Sequence, residues 1–357
     1  MVDLLLIGGG HAHLGILREI RTKAVDYQVT LISASQYQYY SGMFSGYTEG
    51  FYSKSDIRID LEKLCEQAGV TFVEDTIIKV DAANRKLIGV SGNVYDFNVV
   101  SFDIGSSIGN LDGSVKQTKI KPNFIFPKEI SEFRETSFPV IVGGGAAGVE
   151  MALSVQAWRC KNGYMDNVTI ISSSSILSSV SKKAETKILK IVRQKGIRVF
   201  ENDEIVEVST QGLVTKNGEH IACSHLFPLT GPKPSSLFAD SSLPLDSKGF
   251  LLVGKTLQVT EFPWLFGAGD CVTIADYLSL PKNGVYAVRQ GPILWGNINH
   301  YLQGKQLTSF DPQKKFVAIL SVGQREGLLT YGESAYYGKW AWQLKHWIDK
   351  KFMEKHK

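Results

Sequence analysis

Two glycine turns of the same design, 135 residues apart, restrict what this chain can fold into. The first reads Asp3-Leu-Leu-Leu-Ile-Gly-Gly-Gly-His-Ala-His, followed by a helical pattern over Leu14 to Lys23 and a strand from Gln28 to Ser33. The second reads Pro139-Val-Ile-Val-Gly-Gly-Gly-Ala-Ala-Gly-Val-Glu, followed by a helical Met151 to Cys160 and a strand from Val168 to Ser172. Strand, glycine turn, helix, strand is the context in which a GxGxxG pattern signals dinucleotide binding. Such a turn lets backbone N–H groups approach a pyrophosphate, and the helix dipole adds about half a positive charge there. Two of them predict an α/β fold with two Rossmann-like dinucleotide-binding domains.

Gly143, Gly145 and Gly148 complete the second fingerprint, whereas the first has Gly8 and Gly10 but His13 in the third glycine position, after His11 and Ala12. His11 is read as offering a ring N–H toward phosphate and His13 as adjusting the turn; with no third ligand nearby, no metal is expected. The acid that grips a ribose 2′-hydroxyl is replaced by Ser33 and Ser172. Serine does not repel a 2′-phosphate, and no arginine stands beside Ser172, so NADH and NADPH both stay open, with a lean to NADH. Each unit ends in an apolar strand running into glycine, Tyr95 to Gly105 and His225 to Gly231. Much later comes Trp264-Leu-Phe-Gly-Ala-Gly-Asp-Cys271, another strand with a small-residue turn that carries Gly269 and Asp270. The chain is therefore expected to return to its first domain (1–111 and 243–310) after inserting the second (112–242), leaving 311–357 as a C-terminal segment.

Composition narrows the class. With 357 residues, 43% hydrophobic and 21% charged, the chain is an ordinary globular protein rather than a disordered one. The net charge of +4 falls entirely on the last twenty residues, where six lysines face only Asp349 and Glu354, so the body is neutral and no nucleic-acid partner is expected. No apolar run approaches a membrane span, and Leu4 to Ile7 is too short for a signal-peptide core, so the expectation is cytoplasmic. The four cysteines (65, 160, 223, 271) lie far apart and read as reduced structural thiols.

The stretches GGGHAH (8–13), YSGMFSGYTEGFY (40–52), VGGGAAGVE (142–150), FGAGDC (266–271), PKNGVYAVRQGP (281–292) and GKWAWQLKHWIDKKFM (338–353) together resemble one family. It is the pyridine nucleotide-disulfide oxidoreductase superfamily, in the branch of type II NADH:quinone dehydrogenases and sulfide:quinone reductases. Within that branch the chain is most similar to the group sometimes fused ahead of selenide, water dikinase. The resemblance implies that the first unit binds FAD and the second NAD(P)H, with a quinone-type acceptor. Asp270 would then hydrogen-bond the flavin ribityl chain, or else cap its turn. Glu150 would lie near nicotinamide and flavin, or merely complement a helix dipole. Gln290 and Lys282 would line the acceptor side, although Lys282 also reads as a solvated charge, and Val285 stands where the quinone enzymes usually carry a glutamine. The aromatic run Tyr37, Tyr39, Tyr40, Phe44, Tyr47, Phe51 and Tyr52 is either a wall beside the flavin or ordinary packing.

At the C-terminus, Trp340, Leu344, Trp347, Ile348 and Phe352 recur at helical steps, with Lys339, Gln343, Lys345, His346, Asp349 and Lys350 between them. This predicts a basic amphipathic helix whose apolar stripe meets an anionic membrane surface, its own domain, or a second copy in a homodimer. The alternatives to a quinone oxidoreductase are a reductase of a small electron-carrier protein, a sulfide:quinone reductase-like enzyme, and a slow flavin redox sensor. Sulfide chemistry is disfavoured because no pair of cysteines is suitably spaced.

Overall fold

The computed structural model describes residues 3–209 and 212–357. Strand β1 (Asp3–Ile7) runs into helix α1 (His11–Thr22) and then strand β2 (Gln28–Ser33). The helix starts three residues before its apolar pattern does, directly on the turn, with Gly10 as a cap that has no side chain. Strands β3 (Thr71–Glu74) and β4 (Val99–Phe102) extend the sheet. The single run expected from Tyr95 to Gly105 is broken at Phe97 and Asn98. Val94–Asp96 closes an antiparallel meander with Ile77–Asp81 and Lys86–Gly89, and only β4 enters the main sheet.

The second unit contains β5 (Lys116–Gln117), β6 (Pro139–Val142), helix α2 (Ala146–Lys161), β7 (Thr169–Ser172), β8 (Arg198–Glu201) and β9 (His225–Pro228). These strands are all parallel, in the order β5-β9-β6-β7-β8. Farther on, β10 (Gln258–Val259) and β11 (Phe262–Gly267) rejoin the first sheet, whose order is β10-β11-β4-β1-β2-β3 with β11 parallel to β4. In both sheets the strand that feeds the glycine turn is central. Its carboxyl end marks the switch in strand order, where open α/β sheets leave a crevice for ligands. Leu4, Leu5, Leu6 and Ile7 are all buried, as expected of a parallel strand covered on both faces.

Helix α3 (Gly284–Leu302) packs on α1 and is capped by Asn283, whose side chain accepts from the N–H groups of Val285 at 3.1 Å and Tyr286 at 3.2 Å. An antiparallel sheet of β12 (Ala318–Ser321), β13 (Gly327–Tyr331) and β14 (Ser334–Gly338) leads into helix α4 (Lys339–Lys355). This helix corrects the expected stripe. Its inward side carries Ala341, Lys345, Asp349 and Met353, together with Phe352, whereas Trp340, Trp347 and Ile348 are 49%, 56% and 42% exposed. A helix can turn charges inward when they satisfy each other, and Lys345 and Asp349 pair at 2.8 Å. Among the described residues no helix is long and apolar enough to cross a membrane.

Candidate functional site

The first glycine turn is tied to the strands around it. Gly8 donates to the Ile32 carbonyl at 2.8 Å and Gly10 to the Asp103 carbonyl at 3.1 Å. His13, in place of the third glycine, is fully buried and bridges two elements: Nδ1 lies 2.7 Å from the Gly8 carbonyl and Nε2 2.8 Å from the Ser101 hydroxyl. Burial lowers its pKa to about 4, so the bridge is made by a neutral ring. In the second turn the third glycine is sterically required, because a Cβ on Gly148 would lie 1.9 Å from the Gly143 carbonyl oxygen.

Beside the first turn runs a cleft of about 390 Å3, lined by Gly8, Gly9, Gly10 and His11, by Ser33 and Gln38, by Thr76, and by Gly105 and Asp270. It joins a larger chamber of about 690 Å3 that includes His11, Ser41, Ser106, Lys121, Asp270 and Gly284 in its wall as well. Both units wall this chamber. The second contributes Ala146, Ala147, Glu150, Met151 and Gly231; α3 contributes Val285, Val288 and Arg289; α4 contributes Lys345, Ile348, Asp349 and Phe352. Tyr40 stacks on Phe352 at 4.3 Å between ring centres, and His11 lies beside both.

Polar groups in the chamber form two sets. Asp270 accepts from Lys121 Nζ at 3.0 Å, and Lys121 also donates to the Ser106 hydroxyl at 2.7 Å. Opposite, Glu150 accepts from the Ser321 N–H at 2.8 Å. Asp349 accepts from the Tyr40 hydroxyl at 3.0 Å and from Lys345, which also donates to the Gly42 carbonyl. Poor solvation raises the pKa of Glu150 and Asp349, with Lys345 pulling both back. Burial alone would lower Lys345, but Asp349 and Glu150 outweigh it and hold the ammonium above its usual range. Behind Ser321, buried Glu49 accepts from its hydroxyl at 3.3 Å and from the Gln324 N–H at 2.9 Å, and burial pushes Glu49 up to about 7.

The structure thus brings His11, Gly231, Glu150, Asp270 and Lys282 to one chamber, with Gly8, Gly10, Ser33 and Gly105 along the adjoining cleft. Gly143, Gly145 and Ala146 surround the start of α2, and Ser172 is buried beside Gly144 at the end of β7. Ala12 lies in the first turn of α1, where its N–H meets Asp103. Two expectations are corrected. Gln290 is not on the chamber wall: it sits behind it, its Oε1 accepting from the Gly269 N–H at 2.6 Å. Lys282 is on the wall but its ammonium is not a solvated charge, since it donates to the Val272 carbonyl and, at 2.8 Å, to the Thr273 hydroxyl. The aromatic run divides: Tyr40 and Phe44 wall the chamber, while Phe51 and Tyr52 pack on Trp342 and His346 of α4. Sequence reasoning missed Lys121, Lys345, Asp349 and Asp103. Only the i, i+4 spacing of Lys345 and Asp349 offered a signal.

A relative from Xenopus tropicalis, ferroptosis suppressor protein 1, is 24% identical over 344 residues, covering 92% of this chain and 88% of that protein. The type II NADH:quinone oxidoreductase of Staphylococcus saprophyticus is 22% identical over 380 residues, covering 97% and 94%. The sulfide:quinone oxidoreductase structure from Aquifex aeolicus superposes with a TM-score of 0.84 at 16% identity, covering 99% and 91%. A family model described as pyridine nucleotide-disulphide oxidoreductase matches residues 2–291, across both glycine turns and the Gly-Ala-Gly-Asp turn, and the chain belongs to that family of oxidoreductases.

Proposed function

We propose that the protein is an FAD-dependent NAD(P)H dehydrogenase that delivers electrons to a quinone-type acceptor. The observation that carries this reading is the joined cavity: a narrow cleft along one glycine turn that opens into an apolar chamber walled by both units. In the proposal, residues 1–111 with 243–310 hold FAD and 112–242 hold the nicotinamide nucleotide. The donor set fits a dinucleotide: the N–H groups of the turn that Asp103 does not engage, hydroxyls at Ser33 and Ser41, and the Lys121 ammonium. A flavin mononucleotide would leave the cleft past Ser33, Gln38 and Thr76 unfilled.

Bound flavin supplies hydride acceptance and two-electron transfer to an acceptor. The chain's own residues position and tune. Asp270, held by Lys121, presents a fixed carboxylate where cleft and chamber meet. The N-terminus of α3 faces the chamber at Gly284 and Val285 and favours negative charge there. Glu150, with one oxygen fixed by Ser321, holds a proton more readily than an ordinary carboxylate and is placed to pass it to an acceptor oxygen. Tyr40, Phe44, Ile120, Ile319 and Phe352 give the acceptor apolar walls.

Sulfur transfer is disfavoured because no cysteine lines the chamber, and burial pushes the Cys65, Cys223 and Cys271 thiols up to about 12. The exposed side of α4, with Trp340 and Trp347 near Lys339, Lys350 and Lys351, would hold the enzyme on an anionic membrane surface in reach of a lipid-soluble quinone. The test is anaerobic: the purified protein should carry FAD, bleach with NADH or NADPH, and reoxidise with a soluble quinone. Flavin that neither nucleotide bleaches would overturn the dehydrogenase reading, and reoxidation by a ferredoxin-like carrier but not by quinone would overturn the acceptor.

A further inference from the structure

Asp103 follows β4, where the carboxyl edge of the sheet meets the first glycine turn. Its buried carboxylate accepts from the N–H groups of Ala12 at 2.8 Å and His13 at 3.3 Å, and its main-chain carbonyl accepts from Gly10 at 3.1 Å. The first N–H groups of a helix have no partner within the helix. Here a protein anion occupies two of them, at the place where the dinucleotide reading brings a second anion. The side chain packs against two glycines of the site and borders the cleft: a Cβ on Gly10 would lie 2.1 Å from Asp103 Cγ, and one on Gly269 would lie 2.4 Å from Oδ1.

Among the described residues no cation pairs with it. Helix α1 presents His11 and His13, both lowered to about 4 by burial and so uncharged near neutrality. The turn at 267–271 presents Asp270, whose cation is Lys121 at 3.0 Å, and Cys271, a thiol pushed up to about 12. Lys282, ahead of α3, is engaged by Val272 and Thr273.

We propose that Asp103 takes up a proton when a dinucleotide pyrophosphate seats at the start of α1, so that cofactor retention weakens as pH rises. The inference rests on the FAD reading above. Burial raises Asp103 to about 7, against the pull of the His13 and Ala12 N–H bonds and with Asp270 adding repulsion. A pyrophosphate arriving beside it raises it further. Below that pKa the site is already protonated and nothing is lost on binding; above it, each bound cofactor draws one proton from solvent onto a carboxylate oxygen. No bond to the cofactor forms or breaks. The resulting acid keeps one oxygen as an acceptor and gains an O–H donor facing the turn.

The test measures FAD affinity of the full chain stripped of flavin, by fluorescence quenching. One proton taken up around a midpoint near 7 predicts binding about 10-fold weaker at pH 8 than at pH 6. Asp103→Asn mimics the protonated group and should bind equally at both, at the tighter level. Calorimetry of the unmodified chain in two buffers of different ionisation heat gives a second readout that survives a misfolded variant. It should show close to one proton taken up at pH 8 and close to none below pH 6. Equal affinity at the two pH values, or no proton uptake at either, overturns the role of Asp103 while leaving the FAD reading intact. No FAD binding at any pH overturns both.

Discussion

Replacing Lys345 by methionine should loosen helix α4 far more at pH 8 than at pH 5. The ammonium donates to Asp349 at 2.8 Å and to the Gly42 carbonyl, with side chains of the pair 13% and 6% exposed. Removing one partner of a buried pair costs about 3–5 kcal/mol, and solvent in the chamber argues for the lower end. At about 1.4 kcal/mol per factor of ten, 3 kcal/mol makes the open form of the helix roughly 100-fold more populated. Methionine keeps the stem, so what is lost is charge and two hydrogen bonds. Glu150 and Asp349 then face each other without a counter-ion. Both already have raised pKa values, so the closed helix holds protons that the open one releases. Its stability falls as pH climbs through those values, so the penalty shrinks as pH is lowered. Asp349→Asn is the milder companion, at about 1–2 kcal/mol, because Lys345 still faces Glu150. Amide hydrogen exchange over 339–355, taken as the ratio of variant to parent at each pH, reads this local opening. A Lys345→Met ratio below about 3 at pH 8, or the same at pH 5 and pH 8, would refute the reasoning.

Gly148→Ala should leave flavin content near normal but weaken NAD(P)H binding. Its Cβ meets the Gly143 carbonyl at 1.9 Å, so α2 must shift, an overpacking worth about 1–3 kcal/mol; unchanged nucleotide titration would count against it. Glu150→Gln removes the carboxylate proposed to pass a proton and should slow one half-reaction by about 10- to 100-fold with the flavin spectrum intact, as stopped-flow reduction and reoxidation would reveal. For the membrane reading, Trp340→Ser with Trp347→Ser is the sharper probe, because both are exposed and neither lines the chamber. Co-sedimentation with anionic vesicles should fall several-fold while soluble-quinone activity holds, and undiminished sedimentation would reject membrane contact by this face.

How far the sequence could be read depended on how local each signal was. Gly8, Gly10, Gly143 and Gly148 declare themselves because the turn and its following helix lie within a dozen residues, and both sheets then follow from strand chemistry. The break at Phe97 and Asn98 was hidden: strand-like residues stand on either side, and what divides them is long-range, since Asn98 accepts from the Asp3 N–H, 95 residues away in sequence. Gln290 was misplaced by one helical step. Val285, Val288 and Arg289 share the face of α3 that meets the chamber, and the next position turns to the Gly269 N–H instead. Helix α4 shows the deeper reason. Hydrophobic periodicity assigns lysine and aspartate outward and tryptophan inward, since isolated charges are expensive to bury. The fold does the reverse at Lys345, Asp349, Trp340 and Trp347, because Tyr40, Gly42 and Glu150 receive those charges. Asp103 breaks the same rule inside an apolar strand run, and it too sits against the cavity. Local patterning fails here where charges converge on one chamber, as expected if the misplaced groups serve the site rather than the fold.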